Sequence, residues 1–152
     1  MTHVLGTVLA LALVVAGQPA AKPNFSGEWK FNLAKSNFGA LPPPTAMSRT
    51  ITHAEPAMTI VESQEGGMGD PTITRKYVND GPEGSFTSQG AEVATAAKWV
   101  GNVLEVTSRV DSIGLSFVDK MSLSPDGKTL TSQVQVSSPQ GNVEITIVFD
   151  KQ

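Results

Sequence analysis

From residue 24 onward, apolar and polar residues alternate, and the 3.6-residue apolar period of an amphipathic helix is missing. A period of two marks a strand that buries one face. In GEWKFNL, residues 27–33, Trp29, Phe31 and Leu33 share such a face. The same alternation, rich in β-branched residues and bounded by turn signals, predicts strands over 49–53, 57–63, 72–78, 85–89, 93–99, 103–110, 115–124, 129–137 and 143–149. Between the first two lies SNFGALPPPTAM. Its three consecutive prolines exclude a helix interior and favour an extended connection.

The turns are short. VGNV places Gly101 and Asn102 in a two-residue hairpin. SPDGKT sets Pro125 before Asp126 and Gly127, and SPQGN repeats that logic with Pro139 and Gly141. Such turns join antiparallel neighbours, because parallel pairs need long crossovers. The expected fold is all-β, an up-and-down antiparallel meander of about ten strands. Left open, that many twisted strands would expose two edges, and closure into a barrel or flattened clam removes them. A two-sheet sandwich is the alternative. QEGGMGDP, residues 64–71 with three glycines, reads as the most flexible loop.

The first residues stand apart. Residues 4–16, VLGTVLALALVVA, carry no charge but fall short of the roughly 20 residues a spanning helix needs. Small residues and a proline follow in GQPAA. This reads as a secretory leader with its cleavage zone, although MTH lacks the usual Lys or Arg. Cleavage after Ala16, Gly17 or Ala21 fits equally. The expected organisation is a leader over 1–21 and one domain over 22–152, exported to the periplasm or beyond the cell. With the leader removed, stable membrane insertion is not expected, and a monomer is. The chain has no cysteine, so core and strand ladders must hold it without disulfides. Its net charge of −3 argues against nucleic acid, which selects basic patches.

Catalytic and metal chemistry find little support. Past the leader the one histidine is His53, which reads as a surface strand residue beside Glu55. Zinc and transition-metal sites need several N or S donors. No Gly-x-Ser-x-Gly elbow, calcium-loop spacing or phosphate-binding glycine loop is present. No cofactor is implied, and an enzyme is not expected.

The informative feature is charge on apolar faces. Asp119 interrupts Leu115, Phe117, Met121 and Leu123. Arg75 lies between Ile73 and Tyr77, and Glu62 continues the face of Met58 and Ile60. Alternation points all three inward, where each needs a counter-charge, water or a ligand. Arg75, Tyr77, Asp119 and Glu62 are therefore the candidate ligand-binding residues, with a purely structural ion pair as the competing reading. The stripe Phe117, Met121, Val134, Val136, Ile145 and Ile147 reads as core packing.

The stretch FSGEWKFNLAKSNF resembles the first strand of calycins, the superfamily of lipocalins and fatty-acid-binding proteins. Gly27 and Trp29 match its Gly-x-Trp. Phe25, Lys30, Ser36, Asn37 and Phe38 are similar to the fatty-acid-binding form. The start with Trp29, Lys30, Asn32, Lys35 and Ser36, the hairpin Asp126 to Thr129, and the finish Phe149 with Lys151 resemble exported bacterial lipocalin-like proteins. The resemblance implies a barrel whose closed end Trp29 plugs. Two departures matter. Residues 41–44 stand where fatty-acid-binding proteins insert a helix pair. Ile147 and Phe149 stand where those proteins carry the Arg-x-Tyr that grips a carboxylate, and Arg75 with Tyr77 is a displaced substitute. The expected function is an exported lipocalin-like protein that binds a small hydrophobic or amphipathic ligand. The alternative is a structural or interaction barrel with a filled interior. A cavity of about 300 Å³ or more separates the two.

Overall fold

The computed structural model describes residues 20–152. The expected leader lies outside the described residues up to position 19, as do the cleavage points at Ala16 and Gly17. Ten strands follow: β1 (Gly27–Phe31), β2 (Ala46–Ala54), β3 (Ala57–Glu65), β4 (Thr72–Val78), β5 (Gly84–Ser88), β6 (Ala91–Val100), β7 (Val103–Val110), β8 (Leu115–Leu123), β9 (Thr129–Ser138) and β10 (Gly141–Lys151). Every strand read from the alternation exists, with ends displaced by a few residues.

The clearest displacement is at β1, which stops at Phe31. The Asn32 side chain accepts the Lys35 N–H, and the chain turns into a short 3-10 segment, Leu33–Lys35. An Asn that caps a turn competes with the ladder. Leu33, expected to share the buried face of Trp29 and Phe31, is consequently 51% exposed.

The strands form one antiparallel sheet in the order β4-β3-β2-β1-β10-β9-β8-β7-β6-β5. Pairing of β1 with β10 joins the two halves of the meander, with Trp29 opposite Lys151. The end strands β4 and β5 face each other without a ladder. The seam is pinned at both ends instead. Asp70 Oδ2 accepts from Ser88 Oγ and from the Gln89 N–H, both at 2.9 Å. At the other end the Asp80 N–H donates to Ala97 O, and the Trp99 N–H donates to Asp80 Oδ1, both at 2.8 Å. The result is a nearly closed barrel, and the two-sheet sandwich is set aside.

The hairpin at Gly101 has φ 62°, a conformation that costs glycine little, and Val100 pairs with Val103 across two residues. The glycine-rich loop after β3 is tied down more than its composition implies. Gln64 Nε2 donates to Asp70 O at 3.1 Å, and the Gln64 N–H donates to Pro71 O at 2.8 Å.

One end of the barrel is filled. Phe25, Trp29, Met58, Ile60, Leu104, Met121, Leu130 and Phe149 are all 1% exposed or less. Trp29 Nε1 donates to Phe25 O at 2.9 Å, and Lys151 Nζ sits 5.3 Å from its ring centroid. A Cβ at Gly27 would lie 2.9 Å from Lys151 Cε, so the glycine lets the lysine reach over the indole. The Gly-x-Trp pair thus seals the base.

His53 corrects the reading of a surface residue. It follows Ile51 on the inward face of β2 and is 6% exposed. Its ring stacks against Phe25 and Trp99, with centroids 5.8 and 6.1 Å away. The Phe25 N–H donates to Nδ1 at 3.1 Å, which leaves Nε2 to donate to Glu55 Oε1 at 2.6 Å. Burial opposes ionisation of Glu55, but hydrogen bonds from Asn79, His53 and Trp99 outweigh it and lower its pKa. This cluster caps the closed end.

Candidate functional site

Above the filled base, strand alternation brings a second polar group together. Arg49 and Glu62 are directly opposite on β2 and β3. Glu62 faces Ile73 on β4, so Arg75 is its diagonal neighbour. On the far wall Asp119 of β8 faces Val134, and Ser132 of β9 is diagonal to it. Opposite and diagonal positions on one face are within reach of long side chains, and barrel curvature turns the two walls toward each other.

The bonds form one continuous chain. Glu62 Oε2 accepts from Arg49 Nε at 2.5 Å and from Arg75 Nη2 at 3.0 Å. Arg49 Nη1 crosses the lumen to donate to Ser132 Oγ at 2.8 Å. The Ser132 hydroxyl in turn donates to Asp119 Oδ2 at 3.3 Å. The Arg49 guanidinium lies 4.4 Å from the Phe149 ring centroid. Asp119 Oδ1 is buried without a donor among the described residues. Tyr77 is buried on the same face of β4 as Arg75.

Burial and pairing set the ionisation. Burial works against the charge on Glu62, but the guanidinium of Arg49, then that of Arg75, prevails and holds its pKa at about 2. Burial likewise opposes the charge on Arg75, and the Glu62 carboxylate outweighs it and raises the pKa. For Asp119 burial wins over the attraction of Arg49 and Arg75, so its pKa is raised. Burial also pushes the Tyr77 phenol up.

Glu62, Arg75 and Asp119 therefore lie in one network, and Tyr77 lines the same lumen. Arg75 and Asp119 do not bond each other. Arg75 bonds Glu62, and Asp119 is reached through Ser132. Arg49 and Ser132 were missed. Arg49 sits between Met47 and Ile51 on an inward face, the same signal that marked Arg75, but a strand begun at residue 49 hides it. Arg75→Met should consequently cost only about 1.5–3 kcal/mol in urea denaturation, the range for a charged hydrogen bond, because Glu62 keeps Arg49. A loss as large as that of Glu62→Gln would contradict this sharing.

Over this floor opens a cavity of about 1040 Å³. Phe86, Val106, Phe117, Val134, Val136 and Ile145 form much of its wall. The stripe read as core packing divides: Met121 and Ile147 belong to the buried core, Val134 and Ile145 pack against it, and all of the stripe except Met121 also borders the cavity. Leu41, Pro42 and Pro44 border the mouth in place of a helix pair, beside the loop at residues 67–70 and the turns at Gln89 and Gln140. Ile147 and Phe149 are buried at the positions of the absent Arg-x-Tyr, and Arg49 from β2 fills the space over Phe149. Among the described residues no three His, Asp or Glu side chains converge as metal donors.

No protein-family model and no curated protein matches this chain. Solved structures do. Secretory abundant heat soluble protein 4 from Ramazzottius varieornatus superposes with a TM-score of 0.66 at 15% identity, covering 90% of this chain and 99% of that one. Fatty-acid-binding protein 1 from Echinococcus granulosus gives 0.61 at 14%, covering 84% and 96%. The zebrafish ileal bile acid-binding protein complexed with cholic acid gives 0.62 at 15%, covering 84% and 98%. The fold that this chain shares with them is the calycin-like barrel.

Proposed function

We propose that this chain is an exported carrier that holds one small hydrophobic or amphipathic molecule inside its barrel. The observation that carries the reading is the cavity of about 1040 Å³, apolar on its walls and polar at its floor. That volume exceeds the roughly 300 Å³ at which ligand pockets begin. Proteins of the same fold include ones named for fatty acid and bile acid binding. The filled-interior alternative accounts for the base around Trp29 but leaves the upper lumen unexplained. The charged groups bond one another in a chain that fixes them at the floor, which suits the polar end of a binding site.

Titration with N-phenyl-1-naphthylamine tests binding. The dye should saturate at one site per barrel with a blue-shifted emission. Val136→Trp, which fills the lumen, should abolish that signal while circular dichroism stays unchanged. A signal that survives the filling, or no saturable signal, contradicts the carrier. Export is supported by the apolar, uncharged residues 4–16 and the small residues after them. Protein recovered outside the cytoplasm should begin between Gly17 and Lys22 by intact mass. Cytoplasmic protein that retains Met1 contradicts export.

A further inference from the structure

Resting on the carrier reading, we infer that the lumen selects a neutral ligand whose polar end donates a hydrogen bond, a hydroxyl-bearing apolar molecule rather than a carboxylate. The floor already contains its own anion. Both guanidiniums that could grip a ligand carboxylate turn toward Glu62 Oε2. A carboxylate entering from the mouth would become a third acid beside Glu62 and Asp119, facing two cations. It would have to leave water and then compete with a partner that is covalently held in place. A ligand ammonium fares no better, because Arg49 and Arg75 stand at the same floor.

What Asp119 lacks is a donor. Asp119 Oδ1 has none among the described residues, and Oδ2 has one at 3.3 Å, long for such a bond. An ionised carboxylate can accept about four. Asp119 lines the cavity, and rotation about its terminal bond, which is soft, exchanges the two oxygens. A hydroxyl arriving there supplies the missing donor. It also accepts, so it satisfies the carboxyl in either protonation state, whereas a carboxylate fits only the protonated one. Burial raises the Asp119 pKa, the behaviour of a carboxyl left short of partners. The apolar walls above take the rest of the molecule.

Displacement of N-phenyl-1-naphthylamine from the full chain at neutral pH distinguishes the classes with three probes of one chain length. Dodecan-1-ol should displace the dye at a concentration about tenfold or more below dodecanoate, and about tenfold below methyl dodecanoate, which accepts but cannot donate. Asp119→Asn removes the acid and leaves the floor with excess positive charge. It should shift the alcohol-to-acid ratio about tenfold toward dodecanoate. Dodecanoate equal to or tighter than the alcohol in the unaltered chain overturns the inference and leaves the carrier standing. So does an ester that matches the alcohol, or a ratio that Asp119→Asn does not move. A dye that never enters removes the carrier reading, and the inference with it. The unaltered chain decides the class even where the variant fails to fold.

Discussion

Glu62→Gln is expected to destabilise the barrel by about 3–5 kcal/mol, read from urea denaturation. Glu62 is the shared acceptor of two guanidiniums, and it and Arg49 are both less than a tenth exposed. An amide keeps the shape but removes the counter-charge, leaving the buried Arg49 and the half-buried Arg75 with no anion in contact. Breaking one side of a buried pair is far more costly than never having built it. The depressed Glu62 pKa points the same way: a shift from 4.5 to about 2 corresponds to about 3 kcal/mol. The sign gives a second check. Because the folded pKa is depressed, the contribution is complete above pH 4.5 and is lost as pH falls toward 2. The gap between the natural chain and Glu62→Gln should hold steady at neutral pH and close in acid. Asp119 runs the other way. Its raised folded pKa gives stability in acid that is lost as pH rises through that value, so Asp119→Asn should be tolerated at neutral pH. A gap for Glu62→Gln below about 1 kcal/mol at pH 7 would sink the ion-chain account.

Trp29→Ala is expected to cost a similar amount, about 3–5 kcal/mol. The indole is 1% exposed and anchors the base against Phe25 and under Lys151. Removing it opens a large void where β1 pairs with both β2 and β10, at the join that makes a barrel from the meander. It also leaves Phe25 O without its indole donor. Trp29→Phe separates the two effects. It keeps most of the packing and loses the hydrogen bond, so about 1–2 kcal/mol should go. A Trp29→Ala barrel that unfolds within 1 kcal/mol of the natural chain would show that the base is held by something else.

The strands were legible because the barrel obeys local rules. Alternation, β-branching and tight turns act over a few residues, and each pointed to the same meander. Arg75, Glu62 and Asp119 were legible for the same reason, since a charge on an apolar face is visible within one strand. Their partners were not. Which anion meets which cation depends on register and on curvature across the lumen. That Arg75 meets Glu62 follows only from the register of β3 against β4. Arg49 was lost through an underestimated strand length, and Ser132 because a small hydroxyl on an inward face carries no alarm. His53 was placed at the surface although it shares a face with Ile51, because a histidine beside a glutamate looks like solvent-facing polarity. Whether the stripe on β8, β9 and β10 fills a core or lines a cavity depends on barrel circumference, which no single strand encodes.

Native mass spectrometry of the protein isolated from its own host tests the central claim most directly. The carrier account predicts a one-to-one complex that releases a small organic molecule on denaturation, leaving the polypeptide mass alone. Bare polypeptide as the sole species, under conditions that preserve non-covalent complexes, would contradict it.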